Sequence, residues 1–226
     1  MDKKEKISKL FDSVSNRYDL LNHLLSFGID IYWRKKSIRL SSMNKNSILL
    51  DVACGTGDFA IAAKKSGVKN IYGIDLSINM LKLFKKKSKW ISDRTVLAVA
   101  EKLPFKENYF THITVAFGIR NFYNIEEGLK SFYNSLADNG QVVSLEFKLP
   151  SNKFVQQIYL LYFNKILPKI GGIISGNKEA YQYLSDSVNT FDKNIDLKSY
   201  FLEAGFSSVK SYSLTFGTVQ ITIANK

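Results

Sequence analysis

The sequence predicts an α/β domain: a mostly parallel, seven-stranded sheet wound by helices, ending in an antiparallel hairpin and preceded by a helical cap. Three observations carry this. Ile48–Ala62 reads as a strand buried on both faces, a Gly-rich turn, and a helix from about Asp58. The order of strand, acid, cap and helix recurs in NIYGIDLSINML. Two strand-like runs joined around Phe216–Gly217 end the chain.

Residues 5–45 precede the first strand and look helical, because Leu10, Phe11, Val14 and Tyr18, then Leu21, Leu24 and Leu25, keep spacings of three and four. A sheet does not need this extension. It is most simply a cap over a cleft, with a packed extension that takes no part in binding as the alternative. The division expected is a cap over 1–45 and a main domain over 46–226. After the first strand and helix, a second strand ends at Asp75 before a helix capped by Ser77. A third strand spans about Val96–Val99, and THITVAFGIRNF supplies a fourth with its loop. A helix from about Ile125 to Ala137 leads into GQVVSLEFKLP, a fifth strand with Glu146 at its end. A hydrophobic helical insertion follows at about 151–190, then a last helix and the hairpin. In a doubly wound sheet the loops after strands one to four share the carboxyl edge. Gly55–Gly57, Asp75, Ala100–Glu101 and Arg120–Asn121 should therefore converge on one crevice.

Lys and Arg outnumber Asp and Glu by 32 to 20, a formal charge of +12, which raises nucleic acid or an anionic membrane as partners. The charge is spread, however, and its densest run, Lys82–Lys89, has the pattern of a solvated helix face. The single Cys54 excludes an internal disulfide, and with His23 and His112 the only histidines a structural metal site is not expected. A reducing, cytosolic setting follows. The charged start and short apolar runs predict neither a signal peptide nor a membrane span.

Gly55 and Gly57 can take positive φ and bring a ligand close to the backbone, where the free N–H groups of the next helix favour electron-rich atoms. Gly55, Gly57 and Ala60 also satisfy the dinucleotide fingerprint, with Asp75 near the spacing of a ribose-binding acid. Asp51 and Asp58 would repel a pyrophosphate but suit the ammonium and sulfonium of S-adenosylmethionine. That cofactor is favoured over NAD or FAD, and a ligand-free turn is the remaining reading.

Within the cap, Tyr18, Asp19, Asn22, Ser26, Asp30 and Trp33 stand in an order that a capping helix alone does not require. The order resembles the signature of the ubiquinone/menaquinone biosynthesis C-methyltransferase family. AEKLPF, the Phe-Gly-x-Arg-Asn loop at Phe117–Asn121, and Tyr181, Tyr183, Leu184 and Ser187 of the insertion resemble it too. The likeness is collinear from about Phe11 to Thr222, and within the family it is greatest to the bacterial demethylmenaquinone methyltransferases. There are departures: Val99 stands where an Asp or Asn usually ends the third strand, Ala116 replaces a frequent Ser, and Ala137–Gly140 replaces Lys-Pro-Gly-Gly.

The resemblance implies a class I S-adenosylmethionine-dependent methyltransferase (Rossmann-like) fold that transfers a methyl group to the ring of demethylmenaquinol. The ubiquinone precursor 2-polyprenyl-6-methoxy-1,4-benzoquinol is a second acceptor, and S-adenosylhomocysteine the product. It implies cofactor binding by Asp51, Gly55, Thr56, Gly57, Asp75, Val99, Ala100 and Ala116. Arg120 and Asn121 would hold the quinol oxygen. Asp19, with Tyr18, is a candidate base, the alternative being that both fasten cap to core. Phe154, Ile158, Leu161 and Tyr162, with Lys153, Lys165 and Lys169, suggest a flap on a membrane or on the isoprenoid tail, with ordinary core packing as the alternative. The partners expected are a polyprenylated quinol, the inner face of the cell membrane touched peripherally from the cytoplasm, and a second copy in a homodimer, with no nucleic acid. The alternative is an RNA-binding or RNA-methylating protein with the same cofactor fold.

Overall fold

The computed structural model describes residues 3–175 and 177–226. Its strands are β1 (Ile48–Val52), β2 (Asn70–Asp75), β3 (Thr95–Leu97), β4 (Phe110–Ala116), β5 (Leu136–Phe147), β6 (Ser208–Leu214) and β7 (Val219–Asn225). They form one seven-stranded sheet in the order β3-β2-β1-β4-β5-β7-β6. From β3 to β5 every pairing is parallel; β7 runs antiparallel to both β5 and β6, so the sheet closes with the expected hairpin.

The apolar run of β1 explains the layering. Successive side chains leave a strand on opposite faces. Leu49 packs with Trp33, Phe59, Ile71 and Phe84, and Leu50 with Ile113, Phe132 and Phe201. Helices α3 (Ile29–Leu40), α4 (Asp58–Lys65) and α5 (Ile78–Lys87) supply the first layer, and α6 (Ile125–Ser135) and α10 (Leu197–Glu203) the second. As the sequence indicated, Ser77 caps α5, its hydroxyl accepting the Met80 N–H at 3.1 Å.

Two boundaries differ from the sequence expectation. β3 ends at Leu97, which leaves Val99 in the loop beyond. α6 stops at Ser135 because Leu136 already pairs with Phe110 on β4, ahead of a register shift. The bend at Asn139 (φ 60°) and Gly140 follows; a Cβ on Gly140 would lie 2.8 Å from the Ala137 carbonyl oxygen.

The helices outside the sheet layers are α1 (Lys3–Val14), α2 (Tyr18–Leu25), α7 (Lys153–Leu161), α8 (Leu167–Ser175) and α9 (Lys178–Asn194). A wide π-type turn at Tyr162–Ile166 joins α7 to α8, just before Pro168, which lacks the N–H that would continue a regular ladder. Leu21 of α2 is buried with Phe163, Leu167, Tyr181 and Val188. The two outlying helical segments thus share a third apolar core and make a single roof over the carboxyl ends of the strands.

Candidate active site

β1 lies between β2 and β4, where the direction of chain progression reverses, and the loops leaving these strands open a crevice. Asp75, at the end of β2, ties two of them together. Its Oδ2 accepts the Gly55 N–H at 2.8 Å and its Oδ1 the Ser77 N–H at 2.8 Å. Burial pushes its pKa up to about 6, against these backbone donors. Asp75, Gly55, Ile74, Met80, Val99, Ala100, Ala116 and Asn121 line a narrow cavity of about 70 Å³. Its walls include the acids Asp75 and Glu101 and, among the described residues, no lysine or arginine.

The two glycines of the turn do different work. A Cβ on Gly55 would meet only Tyr18, 3.8 Å away, so this backbone is open to a ligand on the cavity side. A Cβ on Gly57 would lie 2.1 Å from the Phe84 ring. That glycine makes room for α5 to pack.

Other candidates in the turn face away from the cavity. Asp51 is 1% exposed; its carboxylate accepts from the Thr114 hydroxyl at 2.8 Å and the Ala60 N–H at 3.2 Å, and burial raises its pKa to about 7. It sits under the turn and anchors the start of α4. Thr56 donates to Asp19, and the Lys87 ammonium reaches Asp19 Oδ2 at 2.8 Å and also pairs with Asp58. Asp19 is therefore a tie between α2, the turn and α5. The Asp58 carboxylate is further surrounded by His23 at 3.7 Å and Arg34 at 3.6 Å. Buried Asp30 gathers Ser26, His23 and Arg34, which fixes the α2–α3 junction; the Trp33 indole N–H donates to the Thr215 hydroxyl at 2.7 Å.

The roof closes on the crevice. Ile7 and Phe11 of α1 and Tyr18 of α2 line the narrow cavity, Ser8 donates to the Leu76 carbonyl at 3.3 Å, and the Ser77 hydroxyl donates to Asp12. Phe11, Tyr18 and Phe117 also line a second cavity of about 350 Å³ beneath the roof. These three rings form the partition between the two spaces. The larger cavity is walled by Leu25, Phe147, Ile158, Tyr162, Phe163 and Leu184, among others, which makes it apolar apart from a few groups.

Those groups are Asn22, Ser26, Asp30 and Arg34 from α2 and α3, Thr215 and Thr218 ahead of β7, and a set around the β4 loop. A 3₁₀ turn at Ile119–Asn121 puts Arg120 on the larger cavity and Asn121 on the smaller one. Arg120 donates through one terminal nitrogen to Glu146 Oε1 at 2.7 Å and the Phe117 carbonyl at 2.6 Å, and through Nε to Ser187 at 3.3 Å. The Tyr183 hydroxyl donates to Asn121 Oδ1 at 2.9 Å. Phe117 (φ 57°) and Ala53 (φ 50°) both hold left-handed backbone where the β4 and β1 loops meet. Gly118 permits that meeting, since a Cβ there would lie 2.7 Å from the Ala53 Cβ.

The structure thus brings Gly55, Asp75, Val99, Ala100, Ala116, Asn121 and Tyr18 to the narrow cavity and Arg120 and Tyr18 to the wide one. Asp19, Asp51, Thr56 and Gly57 support these walls from behind. Glu101 lines the crevice on which its loop was expected to converge, whereas Phe117, Tyr159 and Tyr183 belong to the walls without having been singled out for ligand contact. Tyr183 had a signal in its Tyr-x-Tyr-Leu-x-x-Ser setting. Tyr159 had none, standing in an unbroken aromatic and aliphatic run.

The model of the ubiE/COQ5 methyltransferase family matches residues 1–226. The Ubiquinone/menaquinone biosynthesis C-methyltransferase UbiE of Geotalea daltonii is 40% identical, over 100% of this chain and 98% of that protein. The Demethylmenaquinone methyltransferase of Thermus thermophilus is 39% identical, over 96% of this chain and 100% of its own. Among solved structures, a SAM-dependent methyltransferase of Thermotoga maritima has a TM-score of 0.64 at 16% identity, covering 96% of this chain and 99% of that one. The cyclase SpnF has a TM-score of 0.64 at 14% identity, covering 97% and 94%. At such identities the two structures speak to the fold alone.

Proposed function

The chain belongs to the ubiE/COQ5 methyltransferase family, and we propose that its larger cavity takes the reduced ring of a polyprenylated quinone and its smaller one S-adenosylmethionine. It is an S-adenosylmethionine-dependent C-methyltransferase of menaquinone or ubiquinone biosynthesis. Demethylmenaquinol is the acceptor we assign first, with 2-polyprenyl-6-methoxy-1,4-benzoquinol as the second. An RNA-binding or RNA-methylating role finds no support in these relatives.

The residues of the narrow cavity fit the cofactor. Asp75 has lone pairs beyond those taken by Gly55 and Ser77 to accept ribose hydroxyls, and Ile74, Met80, Val99 and Ala100 make an apolar slot for a base. Walls carrying Asp75 and Glu101 without a cation favour a positively charged cofactor over a pyrophosphate. Ile7 and Phe11 of α1 and Tyr18 of α2 cover this slot from the roof side. When bound, the cofactor supplies an electrophilic methyl group on a sulfonium.

The acceptor must be the quinol. A quinone ring is electron-poor, whereas loss of a phenolic proton from the quinol pushes electron density onto the neighbouring carbon. Arg120 carries a fixed cation on the cavity wall and stabilises that phenolate; Asn121, next to it in the chain, holds the same oxygen from the cofactor side. Phe11, Tyr18 and Phe117 press the ring toward the methyl group and keep water out. Such alignment is worth up to about 7–11 kcal/mol in well-oriented systems.

One observation carries this reading: consecutive residues of one turn, Arg120 and Asn121, face two adjoining cavities divided by Tyr18. The test is methyl transfer from labelled S-adenosylmethionine to chemically reduced demethylmenaquinol, followed by mass spectrometry. A product one methyl heavier is expected. Tight binding of S-adenosylhomocysteine without any transfer to either quinol would falsify the acceptor assignment.

A membrane surface is the proposed source of this acceptor. Phe27 (80% exposed) and Ile158 (54%) line the larger cavity and also face outward, with Phe154 (71%) and Leu161 (52%) on the same α7. Lys153, Lys165 and Lys169 are exposed beside them. No helix among the described residues is long and apolar enough to cross a membrane, so the contact is peripheral.

A further inference from the structure

Two helices of the roof are apolar on both of their sides. In α2, Leu21 and Leu25 pack into the roof core, while Leu20 (61% exposed), Leu24 (50%) and, in the turn beyond, Phe27 (80%) face outward. In α8, Leu167 and Ile174 pack into the same core, while Ile170 (38%), Ile173 (83%) and, just ahead of the helix, Ile166 (41%) face outward. The two helices are pinned to each other: the Arg17 guanidinium donates to the Ile174 carbonyl, and the Tyr162 hydroxyl to the Leu25 carbonyl at 2.8 Å. Of the six outward side chains only Phe27 lines a cavity, so a ligand held inside does not account for the others.

A helix that is hydrophobic all round is normally a buried one. Among the described residues nothing covers the outer side of α2 and α8, and the charges around it indicate what does. No acidic residue stands between Lys153 and Ser175; Lys165 and Lys169 flank the stripe of α8, Arg17 precedes α2, and all three cations are exposed. Asp19, the one acid of α2, is engaged by Thr56 and Lys87. A second copy docked here by two-fold symmetry would set this basic face against itself. An anionic lipid surface meets both the cations and the apolar stripes. We propose that α2 and α8 together form a lipid-inserting face that holds the protein on an anionic bilayer, beside the α7 rim by which the acceptor enters. This rests on the membrane as the source of the acceptor, and adds to α7 a binding surface that cap and insertion make jointly.

The test is flotation of Leu24→Ser/Ile173→Ser with vesicles of phosphatidylcholine and phosphatidylglycerol at low salt, alongside methyl transfer to a short-chain, water-soluble quinol. The vesicle-bound fraction should fall at least about tenfold relative to the wild type. Transfer to the soluble quinol should stay within about twofold, because neither side chain lines a cavity. Vesicles of phosphatidylcholine alone should hold the wild type more weakly, since the cations then lack a partner. Flotation of the variant equal to that of the wild type would overturn the α2–α8 face and leave the α7 contact standing. A wild-type dimer in light scattering that the same substitutions make monomeric, with flotation unchanged, would give the face to a second copy instead. A wild type that does not float would overturn this proposal together with the membrane as source, but not the acceptor assignment, which transfer to the soluble quinol reads separately.

Discussion

Arg120 and Glu146 form an ion pair at 2.7 Å with 5% of each side chain exposed. Burial raises the Glu146 pKa even though the Arg120 charge opposes it, so desolvation outweighs the attraction. Such a pair adds little net stability but is costly to break from one side. Glu146→Gln keeps the shape and strands the guanidinium. It should lower unfolding free energy by about 3–5 kcal/mol, measured by urea denaturation. The double variant Arg120→Met/Glu146→Gln should regain most of this; a single-variant loss under about 1 kcal/mol would mean the pair is dispensable for folding.

Asp75 gives a binding prediction. A carboxylate that accepts ribose hydroxyls must be ionised, and its pKa is raised to about 6. Affinity for S-adenosylhomocysteine should therefore be flat above pH 7 and weaken about tenfold per pH unit below pH 6. Calorimetry across pH 5–8 reads this directly. In Asp75→Asn the slope should vanish along with most of the affinity.

Stability follows the same two acids with its own sign. Asp51 and Asp75 have folded pKa values raised to about 7 and about 6, above the unfolded value near 4. Between these limits the folded chain holds protons that the unfolded chain has released, so unfolding free energy falls as pH rises. The Tm of the free protein should drop from pH 5 to about pH 8 and then level off. Asp51→Asn should flatten the part of that fall nearest pH 7.

Much of this site was legible in the sequence, and the rest was not for definable reasons. The Gly-rich turn, Asp75 and the Ser77 cap are local patterns, set by strand period and helix capping within a few residues. The Phe-Gly-x-Arg-Asn loop was visible as a phrase, but the ring of partners on it was not. Ser187 and Tyr183 reach Arg120 and Asn121 from more than sixty positions away in the chain. Nor does periodicity say that Leu21 would share a core with Phe163 and Val188, which turns two separate helical segments into one roof. Nor does charge pattern give the acids their partners: Asp51 is held by Thr114 and Ala60, and Asp58 by Lys87, Arg34 and His23. The acids on the cavity wall are Asp75 and Glu101.

Asp19 separates two roles by kinetics. Both of its oxygens are engaged, one by the Thr56 hydroxyl and one by Lys87, and it closes the roof against the turn. About a third of each partner in the Asp19–Lys87 pair is exposed, so the pair is worth less than about 1 kcal/mol. Asp19→Asn should leave kcat within about fivefold and speed cofactor release by a similar factor in stopped-flow. A general base would instead lose about a hundredfold to ten-thousandfold in kcat.

The outward apolar rim makes the last prediction. Phe154 and Leu161 are largely exposed on α7, which buries none of its residues fully, while Val155, Ile158 and Tyr159 line the larger cavity. A helix that turns one side to a pocket and leaves apolar side chains on the other is suited to lie in a lipid surface from which a prenylated quinol enters sideways. Phe154→Ser/Leu161→Ser should abolish flotation with anionic liposomes at low salt and lower the rate with quinol dissolved in those liposomes by at least about tenfold. With a short-chain, water-soluble quinol the rate of the same variant should stay close to that of the wild type. An equal loss with both quinols would mean that these side chains shape the cavity, and unchanged flotation would remove the membrane from the route.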